Sequence, residues 1–227
     1  MNLGIFGDSF SYEDVLNYNL LKHPLLPNAG SSWVSLLRQN YYITNYSTKG
    51  CDPYYMYKVF IDNHSQHDNI IFVFPRPGRI SINGFHIPFV ENTSGMGTDD
   101  EYVAYSMWHK HLYNEEKESH YVRLLKASIL ETRPDVKFMY GANWDFGFEA
   151  TPIINISRLE DSAWGETALE IRRKYMDLRY CHMTKENNIT LYKLVLDQMA
   201  GGTEIKIDYT QFRTPSLEEK ECYLIRK

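Results

Sequence analysis

Apolar and polar positions alternate along the chain in blocks that read as strands and helices in turn. Leu3 to Phe6 is a short apolar run, stopped by Gly7-Asp8-Ser9. It is too short for a core helix and predicts a buried strand at the very start of the chain. Ser32 to Gln39 carries Trp33, Leu36 and Leu37 at helical spacing, with Ser31 or Ser32 as cap. Tyr41 to Tyr46 predicts a second strand. Asp52 to Phe60 predicts a helix with Pro53 near its start. Asn69 to Phe74 is apolar without alternation, the pattern of a parallel strand covered on both faces. It ends at Pro75-Arg76-Pro77-Gly78, which cannot continue a central strand.

The apolar residues Ile80, Ile82, Phe85, Ile87 and Phe89 predict an inserted hairpin turning at Asn83-Gly84. One long helical region is expected over Asp99 to Glu131, separated from the next strand by Arg133-Pro134. Val136 to Tyr140 predicts a fourth strand and Pro152 to Ile156 a weaker fifth. Thr184 to Met199 predicts a helix, with Thr184 and Asn187 in capping-box spacing and Gly201-Gly202 at its end. Glu204 to Lys227 alternates at Ile205 and Ile207 and reads as a strand or a packing arm. Strands alternating with helices predict a layered α/β fold. Its crevice lies where the loops leave the carboxyl ends of parallel strands. The expected division is a domain over 1–202 and a tail over 203–227.

Composition narrows the class. The 227 residues suit one core, with 43% hydrophobic and 23% charged side chains. A formal net charge of -5 argues against a general nucleic-acid surface. Aromatic residues reach 15%, so either the core or a binding surface is aromatic. No apolar run is long enough to span a membrane. The first residues lack the basic and apolar regions of a signal peptide, so a cytoplasmic location is expected. The cysteines, Cys51, Cys181 and Cys222, form no disulfide framework. Cys181 beside His182 invites a metal reading, but no second cluster has ligand spacing.

Two loops carry candidate chemistry. Gly7-Asp8-Ser9-Phe10 directly follows the first strand; it is either a capped turn or the seat of a serine at the crevice. Asp177-Leu178-Arg179-Tyr180-Cys181-His182-Met183-Thr184 directly precedes the last long helix. A serine hydroxyl becomes a nucleophile when a base removes its proton, and histidine supplies that base near neutral pH. A carboxylate on the other ring nitrogen fixes the tautomer.

The Gly7-Asp8-Ser9 block resembles the first block of the SGNH, or GDSL-type, hydrolases. That resemblance implies a three-layer α/β/α flavodoxin-like sandwich with a five-stranded parallel sheet. It implies Ser9 as nucleophile and His182 as base. Gly50, in Ser47-Thr48-Lys49-Gly50, matches the second-block glycine, whose amide joins that of Ser9 at the oxyanion. The stretch from Trp33 to Asn45 is similar to SGNH-type proteins of bacteriophages, which implies a host-cytoplasmic or virion-associated product. The family's acid stands three residues before its histidine, where this chain has Arg179. Asp177 is then the candidate acid, and a Ser–His dyad oriented by a backbone carbonyl is the alternative. The third-block Asn is also missing, which leaves Arg76, Arg79 or Asn143 as substitutes.

The implied activity is hydrolysis of small esters, often acetyl groups on sugars, with no metal or organic cofactor. The implied partners are a small ester or acetylated carbohydrate, with a homo-oligomer or a phage particle as candidate assemblies. A catalytically silent SGNH fold used for binding or phage structure is the second reading. A nucleotide-binding α/β domain is the third, weakened by a first loop with one glycine and no phosphate-loop lysine.

Other clusters have bland readings beside the chemical ones. Asp62, His64, His67 and Asp68 could ligate a metal, or form a solvated helix-to-strand loop. His109, His111 and His120 read as surface or packing residues. Trp144 is a core residue or a stacking platform in the crevice. Arg172-Arg173-Lys174 reads as a solvated face. Tyr54, Tyr55 and Tyr57 divide between core and an exposed surface.

Overall fold

The computed structural model describes residues 1–8, 10–12, 32–75, 78–82, 85–87, 99–140, 185–208 and 211–212. Strands β1 (Asn2–Phe6), β2 (Tyr42–Asn45), β3 (Asn69–Phe74) and β6 (Lys137–Tyr140) form a parallel sheet in the order β2-β1-β3-β6. Gly4 stands between Thr44 and Ile70, and Phe72 lies beside Phe138. β4 (Ile80–Ile82) and β5 (Phe85–Ile87) pair antiparallel, with Ile82 opposite Phe85. That register leaves Asn83-Gly84 as the connection, as the apolar alternation predicts.

Helices α1 (Trp33–Leu37), α2 (Pro53–Asn63), α3 (Asp99–His111), α4 (Glu115–Thr132) and α5 (Lys185–Gln198) complete the described elements, with a 3-10 turn over His64–Gln66. Side chains alternate between sheet faces along each strand. Leu3, Ile5, Ile71, Val73 and Met139 pack with Trp33, Val34 and Leu37 of α1 and Leu191 and Val195 of α5. Phe6, Ile70, Phe72, Phe74, Phe138 and Tyr140 pack with Met56 and Phe60 of α2 and Val122, Leu125 and Ile129 of α4. Both sheet faces are therefore buried, which is why β3 has no polar position after Asn69.

The second face answers the aromatic excess. Phe74 stacks on Phe138 at 5.6 Å and on Tyr140 at 5.5 Å, and Phe6 stacks on Tyr46 at 4.7 Å. Many of the aromatic residues are core.

Caps set several helix starts. The side chains of Ser32 and Asp52 accept from Ser35 N and Tyr55 N, and Pro53 follows in the first turn of α2. The long helical region expected over Asp99 to Glu131 consists of two helices. Asn114 leaves the helical conformation and its side chain accepts from Lys117 N, while Glu115, Glu116 and Glu118 load the new first turn with negative charge. A charged stretch with good helix formers hides such a break.

The described sheet has four strands. Beyond them, Glu204 makes a single parallel bridge to Phe138, through Phe138 N to Thr203 O (2.7 Å) and Ile205 N to Phe138 O (3.0 Å). Ile205 and Ile207 are buried in the first-face core. Lys126 pairs with Glu204, and Lys137 Nζ donates to the carbonyls of Gly201 and Gly202. The strand expected at Pro152 to Ile156 lies outside the described residues, as does 213–227 of the expected tail. No helix among the described residues is long and apolar enough to cross a membrane.

Candidate functional site at the carboxyl edge of the sheet

Three loops leave the carboxyl ends of β1, β2 and β3 and interlock. Gly7 is the pivot of the first. A Cβ there would lie 2.3 Å from Ser11 Oγ, 2.8 Å from Val73 Cβ and 3.0 Å from Val73 O, so only glycine fits. Gly7 O accepts from Thr48 N at 2.9 Å and from the Cys51 thiol at 3.4 Å. The first loop is thus fastened to the second.

Further polar bonds reinforce that seam. Asp8 O accepts from Ser11 N, Tyr12 N and Ser11 Oγ. Ser47 Oγ donates to Ser11 Oγ at 2.9 Å. Asn45 Nδ2 donates to Ser11 O at 2.8 Å, while Asn45 Oδ1 accepts from Ser47 N at 3.0 Å. Gly50 follows with φ 70°, in the left-handed region where glycine carries no steric penalty. Cys51 is buried, and desolvation pushes its thiol pKa well above the usual range, with Asp8 and Asp52 adding to the shift and Arg79 opposing it.

The third loop supplies a charge. Asp8 is fully buried. Its Oδ1 accepts from Phe10 N at 3.1 Å, and its Oδ2 accepts from Arg79 Nη1 at 2.5 Å. The Arg79 side chain is 11% exposed, and its Nε is buried without a hydrogen-bond partner among the described residues. Gly78, at φ 75°, precedes it. Tyr105 of α3 donates to Gly78 O at 3.4 Å. Glu118 of α4 accepts from the Gly78 amide; burial raises its pKa, the amide bond opposes that, and Asp52 adds to it. The polar wall therefore draws on β1, β2, β3, α3 and α4.

A second set of bonds joins the start of α5 to this edge. Trp33 N donates to Asn188 Oδ1 at 2.9 Å, and Trp33 Nε1 donates to Phe10 O at 2.9 Å. Asn187 and Asn188 are both buried, at the helix start that follows the His182 loop. One tryptophan thus ties the beginning of α5 to the residue after Ser9.

Of the expected site residues, Gly50 is placed at this edge, beside the Gly7 loop. Ser9, His182 and Asp177 lie outside the described residues, as do Arg76, Asn143, Trp144 and Arg179. The nearest described neighbours of Ser9 are Asp8 and Phe10. Lys185, three positions after His182, opens α5. From the sequence, Arg79 is only one of several substitutes for the missing Asn, and neither its ion pair with Asp8 nor the Trp33 bridge is legible there. The signal for the bridge was the Asn187-Asn188 pair at the head of an otherwise amphipathic helix.

The His64 and His67 loop is the helix-to-strand connection that its polarity predicts, with Ser65, Gln66 and Asp68 exposed, but His67 turns inward. His67 is buried, its Nε2 lies 3.1 Å from Tyr46 Oη, and its ring meets Phe6 and Tyr46 edge-on. His64 stacks on Phe60 at 5.0 Å. Arg133 closes the loop from outside by donating to the carbonyls of His64 and His67. This cluster sits near the amino ends of β1 and β3, where Asp68 Oδ2 accepts from Asn2 N. Comparison with protein-family models, with curated proteins and with solved structures returns no match to this chain.

Proposed function

We propose that the protein is a serine ester hydrolase of the SGNH type, acting on short acyl esters, with acetylated carbohydrate as the substrate class. The observation that carries this reading is the Trp33 bridge. It holds the start of α5, the helix that follows His182 in the sequence, beside the residue after Ser9. The sheet order β2-β1-β3-β6 with helices on both faces supports the flavodoxin-like sandwich, and the bridge at Glu204 is where a fifth strand would add.

In this mechanism His182 takes the proton of Ser9 Oγ as it attacks the ester carbonyl. Asp177 orients the imidazole. The amides of Ser9 and Gly50 hold the oxyanion, and the free Nε of Arg79 supplies the donor that the family takes from Asn. His182 then protonates the leaving alcohol, and water activated by the same ring releases the acid. The fixed Asp8 carboxylate does not share this chemistry. It holds Phe10 N and Arg79 and so shapes the loop that bears Ser9.

Arg179 at the usual acid position favours one other reading, a silent copy of the fold that binds carbohydrate or serves a phage particle. Hydrolysis of a short-chain aryl acetate and of acetylated sugars separates the two. The hydrolase reading predicts turnover that falls at least about a thousandfold in Ser9→Ala and in His182→Ala. Equal rates in wild type and Ser9→Ala would remove Ser9 as nucleophile. No turnover across the panel would favour the silent copy.

A further inference from the structure

Helix α3 has two distinct faces. The inner one carries Tyr105, which is buried and bonded to Gly78 O. Trp108 and His109, half-buried beside it, lie within 6.0 Å of the Tyr105 ring, and Tyr113 stacks on His109 at 5.0 Å. The outer face carries Asp100, Val103, Ala104, Met107, Lys110 and His111, all exposed. Val103 is 57% exposed and Met107 54%. Positions 100, 103, 107 and 110 are spaced as one stripe of an α-helix.

The order of chemistry along that stripe is acid, apolar, apolar, base. It is self-complementary in one orientation only. Laid antiparallel across a two-fold axis at position 105, Val103 of one copy meets the partner's Met107, and Asp100 meets the partner's Lys110. The parallel arrangement sets Asp100 against Asp100 and Lys110 against Lys110. A two-fold contact between identical patches is the commonest way in which a soluble chain self-associates. The antiparallel arrangement also sets opposite ends of the helix dipoles side by side.

We propose that the outer face of α3 is the interface of a homodimer, formed by antiparallel pairing of α3 with the same helix of a second copy. Asp100 and Lys110 have no charge partner among the described residues, so both are available to a second chain. One helix pair is a small interface, so the dimer forms in the micromolar range rather than as an obligate assembly. The proposal does not depend on the hydrolase reading.

Sedimentation equilibrium of the full chain from about 1 to 200 μM tests it, a range that brackets such a contact. The expected result is a monomer–dimer equilibrium. Met107→Glu should raise the dissociation constant at least about tenfold, since it sets a charge against apolar surface. Asp100→Lys and Lys110→Asp should each weaken the dimer alone through like-charge contacts. An equimolar mixture of those two variants should recover it, because each then meets its opposite charge at both ends. Circular dichroism of each variant checks that α3 remains helical. A monomer throughout the range, a dimer indifferent to Met107→Glu, or a mixture no tighter than its components would overturn the proposal.

Discussion

Arg79 Nη1 donates to Asp8 Oδ2 at 2.5 Å, joining the loop after β3 to the residue that precedes Ser9. Asp8 is fully buried and Arg79 nearly so. Removing one partner of such a pair leaves an uncompensated charge in a poorly solvated place. Arg79→Ala is therefore expected to cost about 3–5 kcal/mol of stability in urea unfolding. Asp8→Asn combined with Arg79→Met should recover part of that loss. Arg79→Lys retains the ion pair but lacks the Nε donor. It should keep most of the stability while lowering kcat about 10–1000-fold at a nearly constant KM. An unchanged kcat in Arg79→Lys would remove Arg79 from the oxyanion.

Gly7 stands where the first two loops meet. Gly7→Ala places a methyl 2.3 Å from Ser11 Oγ and 3.0 Å from Val73 O. The hydroxyl can rotate away, at the cost of its bond from Ser47, but the strand carbonyl cannot. A loss of about 1–3 kcal/mol is expected, the range for overpacking a closed site. Thermal melting of the variant checks this, and an unaltered midpoint would show that the β1 loop has room that its contacts deny.

His67 gives the protein an acid-side dependence. Burial lowers its pKa, the Arg133 guanidinium lowers it further, and Asp68 opposes them. The unfolded chain therefore binds a proton on this ring at a higher pH than the folded chain does. Its contribution to stability is present above about pH 6.5, the value of an unperturbed histidine, and is lost as pH falls through the folded pKa. Unfolding free energies measured from pH 7 to pH 5 should decline less in His67→Gln than in wild type. Parallel declines would show that another group carries the effect.

The elements legible in the sequence are those decided by local chemistry. β1 and β3 are apolar runs ended by Gly7 and Pro75, and α2 opens on Asp52-Pro53. The break at Asn114 is not marked in the local pattern, because its cap bond competes with helix formers around it. The burial of His67 is not legible locally, because the pattern Asn-His-Ser-Gln-His-Asp is polar. The cavity it fills is made by Phe6 and Tyr46, and a Cβ on Gly4 would lie 2.6 Å from its ring. Of the candidate site, the sequence shows separate blocks, of which the Gly7-Asp8 and Gly50 loops are among the described residues. What joins them is long-range: Asp8 to Arg79, Gly7 to Thr48, Phe10 and Asn188 to Trp33. Pairings between loops depend on strand order, which no single stretch of sequence encodes.

The most direct measurement of the central claim is covalent labelling of the full chain with a fluorophosphonate, located by peptide mass spectrometry. Such a reagent reports a serine whose hydroxyl is activated by a neighbouring base. The account predicts one adduct, on Ser9, that disappears in His182→Ala and slows in Arg79→Lys. Wild-type protein that remains unlabelled, or is labelled at Ser9 equally well without His182, would contradict it.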